Sequence, residues 1–240
     1  MRLYIVRHGD PDYEHDDLTE AGHREAAALA GLFSREGLDE IHASTLGRAR
    51  RTASYTAEAL GLPVVDEAWA RELSELRDPD TGFVIWDFDP NILAGLGEED
   101  RNRILWSGDW KKRPPFSRPE VAPLLEAALA RVAAGADGFT ARLGFVREAG
   151  AYRVAAPSSK RVALFCHNGS GLTMLAHFLG MPAPAVWSSF FFHTSSVTTL
   201  LFEERRPGTA TVRCVGLSDL SHLRVAGLPP SAAGLKANIA

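Results

Sequence analysis

Two short runs constrain the fold of this chain more than any other feature: Arg2–Val6 (RLYIV) and Arg161–Cys166 (RVALFC) hold almost nothing polar. Runs of this length that are apolar toward both faces read as strands in the middle of a covered parallel sheet. Each leads to a histidine, His8 after Arg7 and His167 directly after Cys166. In open α/β sheets, ligands gather beyond the carboxyl ends of strands, where loops and helix N-termini converge. Two imidazoles at that kind of position point to a shared site.

The segments around these strands alternate in type. Leu18 to Phe33 starts with Thr19 as an N-cap and turns Ala/Leu-rich at helical spacing. Glu40 to Ser44 reads as a strand, and Gly47 to Leu60 as a helix stopped by Gly61, with Pro63 to Val65 a short strand beyond. A long helix is expected over about 119–143 with Pro119 in its first turn, then a hairpin over 145–154 around Ala149-Gly150. Gly169 to Leu179 reads as a helix, and Ser196 to Phe202 and Thr211 to Val215 as strands. Strands alternating with helices predict a three-layer α/β/α sandwich with a mostly parallel central sheet. From Asp78 to about Trp110 the texture breaks: acids, prolines, glycines and three tryptophans occur without sustained periodicity. That stretch reads as an insertion over the core.

Bulk properties narrow the partners. With 240 residues the chain has room for one large α/β domain or a core with an insertion. A formal net charge of −4 argues against a general nucleic-acid binder and requires any positive anion pocket to be local. The opening MRLYIVRHGD holds no long apolar run, so neither a signal peptide nor a membrane span is expected, and the protein is expected in the cytoplasm. Cys166 and Cys214 lie in apolar strands and read as buried thiols. No cysteine or histidine ligand cluster is visible, so neither a metal nor another cofactor is expected.

Arg7-His8-Gly9 joins groups suited to phosphorus chemistry. A neutral imidazole is a competent nucleophile when its neighbours fix its tautomer and direction. Arg7 offers a planar fork matched to phosphate oxygens, and Gly9 lets an anion approach the backbone. Nearby guanidinium charge would keep His8 neutral. Farther along, Ser44-Thr45-Leu46-Gly47-Arg48-Ala49-Arg50-Arg51-Thr52-Ala53 follows a strand and opens a helix, with Arg48 in the first turn where helix N–H groups favour an anion. Phe165-Cys166-His167-Asn168-Gly169 repeats the pattern of strand, histidine and glycine-bearing helix start.

Taken together these motifs resemble the histidine phosphatase superfamily, the phosphoglycerate mutase-like family. Its pattern is R-H-G, then S-x-L-x-R-A-x-x-T-A, then a strand-terminal histidine. Leu18-Thr19 with Gly22, Leu73-Ser74-Glu75 and Ser195-Ser196-Val197-Thr198 fit its lesser marks. The resemblance implies a single domain over 1–240 with a cap inserted at about 78–155, and a metal-independent phosphatase acting through a phosphohistidine on His8. Arg7, Arg48 and His167 would surround the phosphoryl group, and Glu75 would serve as the proton donor. The implied partner is a small phosphorylated substrate or a phosphoprotein; self-association is left open.

Three departures matter. Asn168 stands where glycine usually follows the second histidine, Asp10-Pro11-Asp12-Tyr13 replaces the usual loop after R-H-G, and an F-T-G-W segment typical of mutases is missing. The second departure makes Asp10 a rival proton donor to Glu75, and Glu72 is a further acid close by. The basic run Lys111-Lys112-Arg113-Pro114-Pro115 reads as a solvated cluster, or as the substrate-gripping stretch of a cofactor-dependent mutase. A phosphoglycerate-type mutase and a catalytically silent phosphate-binding module are the competing readings. Trp86, Trp106 and Trp110 are expected to pack the insertion on the core, and His222 to make a structural hydrogen bond.

Overall fold

In a computed structural model that describes residues 1–87, 93 and 96–235, the chain folds around an eight-stranded mixed sheet. Its strands are β1 (Arg2–Arg7), β4 (Glu40–Ala43), β5 (Val64–Asp66), β6 (Phe145–Glu148), β7 (Ala151–Val154), β8 (Arg161–Cys166), β9 (Val197–Arg206) and β10 (Thr209–Asp219). The spatial order is β5-β4-β8-β1-β9-β10-β7-β6; β2 (Pro11–Asp12) and β3 (Asp17–Leu18) form a separate pair.

Alternation along β1 explains the layers. Leu3 and Ile5 enter one apolar cluster while Tyr4 and Val6 enter another on the opposite face; in β8, Val162, Leu164 and Cys166 separate from Ala163 and Phe165 in the same way. Helices α1 (Glu20–Glu36) and α2 (Gly47–Leu60) cover the second face. Thr19 caps α1, its Oγ1 accepting from the Gly22 N–H at 3.1 Å. Helices α4 (Ala122–Arg142) and α5 (Asn168–Leu179) cover the first.

The expectation of a mostly parallel sheet stops at β1. Strands β5, β4, β8 and β1 are mutually parallel, but β9, β10, β7 and β6 add antiparallel. The reason is local. The β9–β10 and β6–β7 connections are tight hairpins, which join strands only in antiparallel fashion.

The expected insertion is also redistributed. Helix α4 and the β6–β7 hairpin are layers and edge of the sandwich itself, so the stretch that sits over the core is shorter than 78–155. Helix α3 (Glu98–Trp106) and the following 3₁₀ turn Gly108–Lys112 pack toward helix α6 (Ala183–Ser189). There Trp110, Phe116 and Trp187 stack with centroids 5.0, 6.0 and 6.5 Å apart. Trp110 therefore packs as expected, whereas Trp106 is 60% exposed. Among the described residues no helix is long and apolar enough to cross a membrane.

Candidate active site

Sheet register brings the two histidines together. Parallel pairing of β1 with β8 sets Arg7 opposite Cys166, so His8 and His167 leave adjacent strand ends side by side. Their ring centroids lie 5.1 Å apart, close to the spacing of neighbouring strands. Pairing of β4 with β8 carries Ser44 to the same rim, where its Oγ meets His167 Nε2 at 2.8 Å.

His8 is 2% exposed, and its Nδ1–H donates to the carbonyl of Gly9 at 2.7 Å. That bond fixes the tautomer and leaves the lone pair on Nε2, toward which the Arg48 Nε–H points at 3.3 Å. Burial first, then the charges of Arg7 and Arg48, hold the imidazole well below its ordinary pKa. His8 is thus neutral at physiological pH.

His167 is fully buried and likewise held well below its ordinary value, by burial and then by its positive surroundings. Ser44 Oγ already accepts from the Leu46 N–H at 3.3 Å, which leaves its proton for His167 Nε2. The ring proton then sits on Nδ1, a buried atom without a partner among the described residues. An oxyanion beside His8 would satisfy it.

The two arginines are fixed by different means. Arg7 Nη1 donates to the Phe192 carbonyl at 2.5 Å and Nη2 to the Ala233 carbonyl at 3.3 Å, with Phe191 5.3 Å from the guanidinium; the buried Nε is without a partner. Arg48 is oriented by Asp16, whose carboxylate accepts from Arg48 Nη1 at 2.5 Å and from the Gly47 N–H at 2.6 Å. A Cβ on Gly47 would lie 2.1 Å from the Asp16 carbonyl oxygen, so only glycine allows this approach.

Glu75, the acid expected from the sequence, does not line the cavity. It turns outward to Arg131 at 3.0 Å. Three residues earlier, Glu72 lines the cavity and accepts backbone N–H groups of Leu73, Ser170 and Gly169 at 2.9, 2.8 and 3.1 Å. Burial raises its pKa above the ordinary carboxyl value, opposed by those three bonds. Gly169 makes room: a Cβ there would lie 2.5 Å from Trp86 and 2.7 Å from Glu72 Oε1. Asp10 is occupied elsewhere, accepting from Thr19 Oγ1 at 2.6 Å and from the Ser231 hydroxyl.

These groups open into a cavity of about 580 Å³, lined by Arg7, His8 and Arg48 at one end and by Tyr13, Phe83 and Trp86 among its other walls. Asn168 also lines it, with Oδ1 accepting from the Phe192 N–H at 3.1 Å. The Lys111–Pro115 run does not. Lys111 lies over Trp110, Lys112 pairs with Asp109 at 2.7 Å, and Arg113 with Asp100 at 2.9 Å. His222 binds Ser195 Oγ at 2.9 Å, away from the cavity. Sequence reasoning gave no role to Ser44, Asp16 or Tyr13 and noted Glu72 only as an acid close to Glu75. Of these, Ser44 had a usable signal, since it ends a strand as His8 and His167 do.

Fold and strand-end geometry together define an α/β protein with a histidine-centred anion pocket. The histidine phosphatase superfamily (branch 1) profile matches residues 3–77. An adenosylcobalamin/alpha-ribazole phosphatase of Salmonella typhi is 26% identical over 198 residues, covering 78% of this chain and 84% of that protein. A probable phosphoglycerate mutase GpmB of Klebsiella pneumoniae is 35% identical over 143 residues, 54% of this chain and 62% of the relative. The match to its Serratia proteamaculans counterpart, 34% identical, spans only 38% of that protein's length. Among solved structures, phosphoserine phosphatase from Entamoeba histolytica superposes with a TM-score of 0.60 at 17% identity, covering 92% of this chain and 98% of the other. The mycobacterial glucosyl-3-phosphoglycerate phosphatase superposes at 0.58 with 21% identity, over 91% and 99% of the two chains. Over residues 3–77 the chain is similar to the histidine phosphatase superfamily, and its fold is that of the phosphatases with which it superposes.

Proposed function

We propose that this protein is a phosphomonoester hydrolase working through a covalent phosphohistidine on His8. One observation carries the reading: the Gly9 carbonyl takes the His8 Nδ1 proton at 2.7 Å, which leaves a neutral Nε2 nucleophile on the cavity side. Nε2 attacks phosphorus as the ester P–O bond breaks, and the Arg48 Nε–H, released from Nε2, turns to a phosphoryl oxygen. Arg7 Nε and His167 Nδ1, both buried and without partners among the described residues, meet the remaining oxygens. Glu72 gives its proton to the leaving alkoxide. Water then attacks phosphorus, returns a proton to Glu72, and phosphate leaves with His8 restored.

The substrate proposed at this level is a small phosphorylated molecule. A mutase is the weaker reading, because the Lys111–Pro115 stretch that favoured it does not line the cavity. Two free cysteines, Cys166 buried and Cys214 half-buried, support a cytoplasmic setting. The decisive measurement is hydrolysis of p-nitrophenyl phosphate without added metal, by the wild type and by His8→Ala. Loss of the nucleophile is expected to cost several powers of ten in rate. Equal rates refute the reading.

A further inference from the structure

The cavity has two unlike ends. Its inner end is cationic, as described. Its other walls include Leu46, Phe83, Val84 and Trp86, and Tyr13 joins the two ends, its ring 5.3 Å from the Arg48 guanidinium. Tyr13 is 67% and Phe83 54% exposed, so large rings line the mouth in place of the hydrated polar side chains usual at a surface.

The charges at this outer end are the wrong sign for a second anionic group. Beyond Arg7 and Arg48 the described lining holds one more cation, Arg77, offset by the carboxylate of Asp87, while Glu72 is the protonated donor of the proposed reaction. Arg77 is already committed: its Nε donates to the Ser74 carbonyl at 3.1 Å and its Nη1 to the Gly82 carbonyl at 2.8 Å. Those bonds staple the loop that carries Phe83 and Val84, and Arg77 also bridges to Val84 through the backbone. A carboxylate or second phosphate on the leaving group would therefore lose its hydration without finding a paired cation, a costly exchange.

Resting on the phosphatase reading, we propose that the substrate is the phosphate monoester of an uncharged or cationic alcohol that bears a flat apolar ring. The phosphoryl group enters the inner end, and the ring lies among Tyr13, Phe83 and Trp86. Phe83 is the specificity-determining residue, because it presents a ring at the mouth and takes no part in the chemistry. Trp86 is less informative, since its indole N–H is bonded to the Leu73 carbonyl at 3.0 Å and its ring packs against Gly169. Ring stacking and apolar burial of this kind discriminate by about one to two powers of ten.

The test compares kcat/KM for phenethyl phosphate, ethyl phosphate, O-phospho-L-serine and 3-phosphoglycerate, all esters of simple alkyl alcohols. Chemical reactivity is thereby nearly matched and binding decides the order. Phenethyl phosphate is expected to lead both carboxylate-bearing esters by at least about tenfold. Phe83→Ala should erase most of its lead over ethyl phosphate, mainly in KM. Phosphoserine or phosphoglycerate matching or exceeding phenethyl phosphate overturns the inference while leaving the phosphatase reading intact. So does a Phe83→Ala variant that slows every ester equally. Failure to hydrolyse any of the four, in a protein that also fails on p-nitrophenyl phosphate, removes the phosphatase reading and this inference with it.

Discussion

The inner and outer ends of the cavity are built by different means. The inner end comes from strand termini: His8 follows β1, Ser44 follows β4 and His167 follows β8, so their relative positions are set by sheet register. Its four principal side chains, Arg7, His8, Arg48 and His167, are at most 9% exposed, and neighbouring backbone or carboxylate groups hold three of them by direct bonds. The outer end comes from loops, with Phe83 and Tyr13 largely exposed. Reaction chemistry tolerates little displacement and is carried by the most rigid part of the fold, whereas selectivity rests where substitutions cost the scaffold little.

Substitutions should separate the two ends by the size and kind of their effects. Arg48→Ala is expected to lower kcat on every ester by about two to three powers of ten, as loss of a transition-state donor does. A loss confined to KM would show that Arg48 belongs functionally with the outer end. Glu72→Gln should cost about 10²–10⁴ in kcat on alkyl esters and far less on p-nitrophenyl phosphate, whose leaving group needs no proton. Glu75→Gln, its carboxylate turned to Arg131, should stay near wild type; the reverse ranking would restore Glu75 as the acid.

Dependence on pH follows from two opposite shifts. His8 must be neutral to attack, and its pKa is held well below 6.5, so acidification inhibits only far below that value. Glu72 must be protonated to donate, and its pKa is raised above 4.5, so the rate on alkyl esters should fall as pH rises through that raised value. Glu72→Gln should abolish this alkaline fall. An unchanged profile in the variant would assign the titration to another group.

The smallest catalytic effect is expected at Gly135, remote from both ends. A Cβ there would lie 2.2 Å from the Trp69 ring, so Gly135→Ala should lower stability by about 1–3 kcal/mol and reduce Tm. Its kcat and KM should remain those of the wild type. A change in either would mean that the α4 layer is coupled to the cavity.

The same division explains what the sequence revealed. The two central strands were legible because, after the leading Arg2 and Arg161, burial on both faces leaves a continuous apolar run in RLYIV and RVALFC. The parallel half followed from that. The antiparallel half did not, because β10 alternates buried with exposed residues and is broken by register shifts at Thr209/Thr211, Cys214/Gly216 and Gly216/Asp219. At the site, the side chains that strand ends bring together could be read, but which carboxylate lines the cavity could not. Glu72 and Glu75 lie in one irregular segment after the 3₁₀ turn Ala68–Ala70, where no period assigns side chains to a face. The choice was made by the free N–H groups of Gly169 and Ser170, about a hundred residues away, which captured Glu72.

The segment Ser231–Gly234 runs along the rim: the Ala233 carbonyl receives Arg7, and Gly234 borders the opening. A purification tag or fluorescent partner inserted between Ala233 and Gly234 would thus hang at the doorway and distort kinetic comparisons. The Pro207–Gly208 turn, at the opposite pole of the sheet, is the better attachment point.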